Sequence, residues 1–321
     1  MVFIGREREI GWMRLYLEHE ANKILAVTGK ANCGKTALMQ EVMKRLAKTQ
    51  TFFYLDLRKL HVASVRDFLE VVVELLTEAD VHLTESKFKV FLGPLGQFGL
   101  EKKEEEAGVI LTRLLRRFEK ALLKVKRPVI VIDELQVLKE LYVNGEKKLI
   151  DRLMEFFISL TKHQHLAHVI VLTSDSTFYA ELYSKSGMHE RMDFKLLDEL
   201  SRQEAIELIR YYVREYSLSL DADQIYHYTG GNPSLIQSIC FMAADVGLEE
   251  AVKKKLTYLK DYIVMQKEAK NVEIKEVKEL TRKEATEWVD ANVLFYNVET
   301  AEFEFQHRMM ELAWNELLGE S

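Results

Sequence analysis

The chain is short of cysteine and proline and has no long apolar run, and each shortage closes off a class of protein. Two cysteines, Cys33 and Cys240, stand far apart among 321 residues. Neither a disulfide framework nor a cysteine-based zinc site is available, and a reducing setting is expected. Three prolines leave long stretches free to form helix. No stretch approaches the roughly 20 apolar residues of a membrane span; residues 71–76 come nearest, and Glu74 interrupts them. Residues 1–9 place charges where a signal peptide needs its apolar core, so a cytoplasmic setting without a membrane is the expectation. A net charge of −6 gives no overall pull on a polyanion, although a local basic patch could supply one. There is no internal repeat and no low-complexity tract.

What is present fits a well-cored globular protein, with 48% apolar and 30% charged residues, long enough for two or three compact units. Short runs rich in Val, Ile, Phe and Tyr at 24–28, 51–57, 129–133, 169–173 and 193–197 alternate with helical patterns near 35–47, 65–78, 105–124, 147–162 and 176–184. That alternation predicts an α/β core, a five-stranded parallel sheet covered by helices, with Ser64 available to cap the second helix. From Ser201 the strand signal stops. Ser201 and Glu204 form a capping-box pattern, and helices are expected over 201–216, 221–228 and 233–245. Gly230-Gly231-Asn232-Pro233 breaks the last two apart. Residues 247–321 read as a helix to 270, a helix over 281–291, strand-like runs at 293–298 and 302–306, and a final helix over 308–318, the outline of a reduced winged-helix-like unit. The expected division is a core over 1–197, a helical lid over 198–246 and a C-terminal unit over 247–321.

Gly29, Lys30, Ala31, Asn32, Cys33, Gly34, Lys35 and Thr36 match G-x-x-x-x-G-K-[ST] in full, after a strand and before a helix. Glycines let the backbone curl so that successive N–H groups face phosphate oxygens, and the helix N-terminus adds its positive dipole end. Lys35 would neutralise the β- and γ-phosphates, Thr36 would bind Mg²⁺, and Ala37 lies in the first helical turn beside them. The apolar strand ending in Asp133-Glu134 supplies the companion: Asp133 to orient Mg²⁺ and Glu134 to polarise the attacking water. The next strand ends in Thr173-Ser174-Asp175-Ser176. Thr173 or Ser174 would reach the γ-phosphate; alternatively, Ser174 or Ser176 merely caps the following helix.

With the opening Phe3-Ile4-Gly5-Arg6-Glu7-Arg8-Glu9, the run Phe52-Phe53-Tyr54-Leu55-Asp56-Leu57-Arg58, and Gly230 to Pro233, these motifs resemble the archaeal ATPase family. That family belongs to the signal-transducing STAND group of P-loop NTPases, related to AAA+ ATPases. The resemblance spans the chain to about Val246 and is vaguer beyond. It implies ATP or ADP with Mg²⁺, a helical lid and a C-terminal winged helix. It places the segment around Arg6 near the adenine and Pro233 against the nucleotide. It also makes Arg191 a phosphate-contacting or finger residue, with a plain surface arginine as the alternative. Glu190 stands where the family pattern has glycine, and residues 197–200 lack its proline.

His163, His165 and His168 cluster before the fourth strand, as solvated loop histidines or, less expectedly, metal ligands. Cys33 is either a passive small residue or an oxidisable one inside the loop. His307 is either structural or a nucleotide-state contact, and Lys253 to Lys255 reads as a wet helix face. The apolar segment 86–100, followed by charged residues to 106, reads as a hairpin or loop, either packed on the sheet or free to bind a partner. A DNA-reading helix should cluster Arg and Lys, but the two terminal helices set Arg282, Lys283 and Arg308 against Glu284, Glu287, Asp290, Glu311, Glu316 and Glu320. The leading expectation is therefore a nucleotide-dependent switch, slow without a protein partner or self-association. A DNA-acting AAA+-like motor or loader is the rival, and a nucleotide-binding module without turnover is the third reading.

Overall fold

The computed structural model describes residues 2–59, 64–65, 67–68, 88–90, 107–139, 141–143, 147–184 and 187–319. Helix α1 (Glu7–Glu18) leads into strand β1 (Ile24–Thr28), helix α2 (Lys35–Leu46) and strand β2 (Thr51–Asp56). Strand β3 (Phe88–Val90), helix α3 (Ala107–Leu122) and strand β4 (Pro128–Asp133) follow. After a 3₁₀ turn (Leu135–Leu138) come a two-residue ribbon, β5 (Tyr142–Val143) and β6 (Lys147–Lys148), then helix α4 (Leu149–Ile158) and strand β7 (His168–Thr173). Helix α5 (Ser176–Ser184) and strand β8 (Met192–Leu196) complete this half.

The main sheet runs β3-β2-β4-β7-β1-β8, and every pairing in it is parallel. All five expected strands are present, each within a residue of its expected bounds. Strand β3 extends them at the edge, so residues 88–90, read as part of a hairpin or loop, are instead a parallel strand. The rest of the 86–106 segment lies outside the described residues, as does the expected helix beyond residue 68. Its start is visible: Ser64 Oγ accepts from Asp67 N at 3.2 Å, and Asp67 Oδ2 accepts from Ser64 N at 2.8 Å. The helix expected from residue 147 begins two residues later, because Lys147 and Lys148 pair with Val143 and Tyr142.

Strands buried on both faces send alternate side chains to opposite layers. Leu25, Val27, Phe52, Tyr54, Val129, Val131, Ile170 and Leu172 pack with Ile10, Met13 and Leu17 of α1 and Leu38, Met39, Val42 and Met43 of α2. Ile24, Ala26, Phe53, Leu55, Ile130, Ile132, Val169 and Val171 face α3 and α4 on the other side.

From Ser201 the chain is helical: α6 (Arg202–Glu215), α7 (Ala222–Thr229), α8 (Pro233–Val246) and α9 (Leu248–Lys270). Helix α10 (Arg282–Asp290), an antiparallel hairpin of β9 (Leu294–Asn297) and β10 (Glu302–Phe305), and helix α11 (Arg308–Gly319) close it. The sequence writes these helix starts directly. Ser201 with Glu204 and Thr281 with Glu284 form reciprocal capping boxes, and Asn232 caps α8 with Pro233 at its first turn. One hydrophobic core runs through all of these helices, from Leu200 to Trp314. At its centre Trp288 and Trp314 meet edge to face, 4.9 Å between centroids at 81°.

Candidate functional site

In a parallel sheet all strands end at one edge, and the loop after β1, the acidic pair after β4 and the polar tip of β7 meet there. The loop's path leaves no freedom at two glycines. A Cβ on Gly29 would sit 2.3 Å from Leu197 O, and Gly34 has φ 102°, a left-handed backbone that favours glycine. Helix α2 starts at Lys35, so its N-terminus points into the loop. Lys35 is buried, and its ammonium donates to Gly29 O at 2.9 Å and Lys30 O at 3.0 Å. Ala37 is half-buried in the first turn, Asn32 is exposed, and Cys33 is enclosed, its thiol pKa pushed up by burial. A buried, raised thiol is a poor nucleophile, which supports the passive reading of Cys33.

Thr36 Oγ1 donates to Asp133 Oδ2 at 2.6 Å, and Tyr54 Oη donates to the same oxygen at 2.8 Å. Burial raises the Asp133 pKa, while the Thr36 and Tyr54 hydrogen bonds act to lower it. Two hard oxygens side by side suit Mg²⁺, which binds through one or two carboxylates and keeps phosphate and water oxygens around it. Glu134 follows in the left-handed region at φ 62°. Its Oε2 accepts from Arg58 Nη2 at 2.7 Å and from Gln136 Nε2. Burial raises the Glu134 pKa, and Arg58 is the largest opposing influence. Thr173 Oγ1 donates to Gln136 Oε1 at 2.8 Å. Asp133 pairs with Leu172, so Thr173 stands level with Glu134.

The helical half reaches the same loop. Gln306 Oε1 accepts from Ala31 N at 2.9 Å, Lys30 and Glu304 form an ion pair at 3.1 Å, and Asn232 Nδ2 donates to Ala31 O at 3.4 Å. The Gly-Gly-Asn-Pro turn therefore lies over the loop through Asn232, with half-buried Pro233 one residue further into α8. Arg6, left-handed at φ 68° and 3% exposed, donates to Cys33 O at 3.0 Å and Asp198 O at 2.6 Å. Its backbone N–H donates to Glu204 at 2.6 Å. Arg6 thus ties the opening segment to the back of the loop and to the start of the helical half.

Some candidates lie elsewhere. Arg191 is exposed and precedes β8; its carbonyl accepts from Ile24 N at 3.0 Å. That is the amino end of the sheet, roughly 15 Å along the strands from the loop, so Arg191 does not contact phosphate in its own chain. Ser174 and Ser176 do not cap α5: Asp175 Oδ1 accepts from Phe178 N at 2.8 Å, and buried Ser176 accepts from Tyr296 N at 3.1 Å. His165 and His168 bond the carbonyls of Ala21 and His19 at 2.6 and 3.1 Å, and His168 is buried rather than solvated. Among the described residues no group of three or more His, Cys, Asp or Glu side chains is placed to hold a metal ion. His307 caps α11, its Nδ1 accepting from Met310 N at 3.1 Å, and burial with nearby Lys255 and Lys30 drives its pKa down to about 4.

Arg58, Gln136, Gln306 and Glu199 are absent from the sequence-derived site. Glu199 has a buried Oε1 with no partner among the described residues, and burial raises its pKa. A polar residue two positions after an Asp-Glu pair, or just past the second strand, was the available signal for Gln136 and Arg58. Nothing local announces Gln306.

Strand order, loop and acidic pair two strands away define a P-loop NTPase. The chain belongs to the family of ATPase domains found predominantly in Archaea, whose profile matches residues 3–239. An uncharacterized ATP-binding protein of Pyrococcus abyssi is 35% identical over 246 residues, 72% of this chain and 70% of its own length. One from Methanocaldococcus jannaschii is 30% identical over 328 residues, covering 93% and 94%. The fold matches that of a Walker-type ATPase of Pyrococcus abyssi at a TM-score of 0.63 and 13% identity, covering 98% of this chain and 96% of that one. The ADP form of Aeropyrum pernix ORC2 matches at 0.51 and 12%, covering 99% and 95%. Among the described residues no helix is long and apolar enough to cross a membrane.

Proposed function

We propose that the chain is an ATP-binding, ATP-hydrolysing switch of the STAND kind, in which the helical half responds to the state of the phosphate loop. The observation that carries this reading is the hydrogen bond from Ala31 N to Gln306 Oε1. A loop N–H of the kind that receives phosphate oxygens is shared with the C-terminal segment, and Lys30 is likewise shared with Glu304. Phosphate and C-terminal segment then compete for the same groups, so each can alter the affinity of the loop for the other.

ATP is the nucleotide favoured by the family and by its relatives' names, and the sequence carries no Asn-Lys-x-Asp guanine signature. Lys35 and the first turn of α2 hold the phosphates, and Thr36 with Asp133 would hold Mg²⁺, which when bound neutralises developing charge on the phosphates. Glu134 accepts a proton from the attacking water through Oε1. Both its donors sit on Oε2, and among the described residues nothing donates to Oε1. Thr173 contacts the γ-phosphate. The core (1–197) moves against the helical half, whose lid (198–246) and winged-helix-like unit (247–321) share one hydrophobic core, and a protein partner or a second copy in the cytoplasm reads their arrangement.

Hydrogen exchange tests this. With saturating ATP and Mg²⁺ in a Glu134→Gln background, amides of 294–306 should exchange differently from the ADP-bound protein. Identical exchange in both states, together with turnover stimulated by duplex DNA, would replace the switch with a DNA-acting ATPase.

A further inference from the structure

Two adjacent strand tips carry the groups assigned to opposite sides of the reaction, Glu134 after β4 and Thr173 at the end of β7. Each reaches toward the other through a third residue. Gln136 sits in the 3₁₀ turn whose first position is capped by left-handed Glu134, and Val137 N donates to Glu134 O at 3.0 Å. That turn folds the chain back over the gap between the strands. The Gln136 amide then has one arm on each neighbour, its Nε2 donating to Glu134 Oε2 and its Oε1 accepting from Thr173 Oγ1 at 2.8 Å.

We propose that Gln136 is a positioning residue that couples the γ-phosphate contact at Thr173 to the carboxylate of Glu134. This role rests on the proposed roles of Glu134 and Thr173 and on the number of protons available. A threonine hydroxyl owns one proton. Here it goes to Gln136, while a lone pair of the same oxygen accepts from Asp175 N at 3.1 Å. The other carbonyl nearby, Asp175 O, is at a long 3.4 Å. Thr173 therefore donates to a γ-phosphate oxygen only by leaving Gln136, and ADP, which has no γ-phosphate, makes no such demand. Once its carbonyl is released, Glu134 is the amide's one remaining partner among the described residues, so the carboxylate's orientation depends on whether a γ-phosphate is bound. Arg58, on the same oxygen of Glu134 but reaching in from the β2 side, has no contact with Thr173 and cannot carry this information.

Gln136→Met keeps the length of the side chain and removes both arms; Gln136→Glu keeps the acceptor for Thr173 and removes the donor to Glu134. Dissociation constants are measured for ADP and for a non-hydrolysable ATP analogue with Mg²⁺, with phosphate release from ATP in parallel. In Gln136→Met, Thr173 no longer breaks a hydrogen bond to meet the γ-phosphate, so the preference for the ATP analogue over ADP should rise by roughly threefold to tenfold. ADP affinity stays within twofold. In Gln136→Glu the acceptor becomes a carboxylate that holds the Thr173 proton more strongly and repels the γ-phosphate, so the preference should fall below wild type, and in both variants phosphate release should fall tenfold or more. A packing role would weaken both nucleotides together and lower the melting temperature, and that result overturns the proposal. So does an unchanged analogue-to-ADP ratio in Gln136→Met. The ratio needs no turnover: if Glu134→Gln hydrolyses ATP as fast as wild type, the hydrolytic reading fails, while the ratio still decides the role of Gln136.

Discussion

The two edges of the parallel sheet are both rich in polar side chains, and they use them differently. At the amino edge Tyr16, Gln50, His165 and His168 bond the main-chain carbonyls of Lys23, Leu17, Ala21 and His19. Apart from the Lys23–Asp193 ion pair, these groups serve to hold the turn between α1 and β1. At the carboxyl edge Lys35 and Arg6 also bond main-chain carbonyls, but the acidic pair and its neighbours bond one another: Thr36 and Tyr54 to Asp133, Arg58 and Gln136 to Glu134, Thr173 to Gln136. A carbonyl of a packed turn has no alternative donor once its partner is lost, because buried backbone groups must be paired. A side chain that bonds another side chain can exchange it for a phosphate oxygen or a cation. Ligand chemistry belongs where the partners of polar side chains are replaceable, rather than where polar residues are densest.

Three substitutions test that contrast. Lys35→Ala should act through the ligand alone: ATP affinity falls by about a hundredfold or more, since a buried charge-assisted contact is lost, while the melting temperature without nucleotide moves by only a few degrees. Calorimetric titration beside thermal unfolding checks both halves of the statement. His168→Leu should do the reverse, costing about 2 kcal/mol in denaturant unfolding by leaving His19 O unpaired, with ATP affinity within twofold of wild type.

The smallest expected effect is in the pH dependence, where the edges have opposite signs. His168 has its pKa lowered by burial, so over the window below its ordinary value the unfolded chain binds more protons and stability falls on acidification. Asp133 and Glu134 have theirs raised by burial. Their neutral forms are favoured in the fold, so that stability is present below the ordinary carboxylate value and lost as pH rises through the folded value. Asp133→Asn should therefore raise the neutral-pH melting temperature by a few degrees, on the order of 1 kcal/mol, while abolishing Mg²⁺-dependent binding. The gain should vanish near pH 3. A melting temperature that drops at neutral pH would show that the hydrogen bonds from Thr36 and Tyr54 to the carboxylate outweigh its burial.

Much of the fold was legible because its signals are local. Buried strands are continuous apolar runs, helix starts at Ser201, Asn232 and Thr281 carry their own caps, and the loop from Gly29 to Thr36 is one contiguous pattern. The pairing of Gln136 with Thr173 depends on β4 lying beside β7, and that of Gln306 with Ala31 on a segment 275 residues away; neither is written in a window of sequence. Arg191 is a different case. It precedes its strand, and in a parallel sheet every strand start lies at the edge away from the loop, so strand direction alone assigns it to the amino edge. Strand β3 is only three residues long, too short for periodicity to separate from loop.

The most direct test of the account is steady-state phosphate release from ATP with Mg²⁺, wild type beside Glu134→Gln, with ATP binding measured in parallel. Wild type should turn over, and Glu134→Gln should retain binding with turnover reduced at least a hundredfold. Phosphate release by Glu134→Gln at the wild-type rate would contradict the assignment of Glu134 and move the base elsewhere in the site.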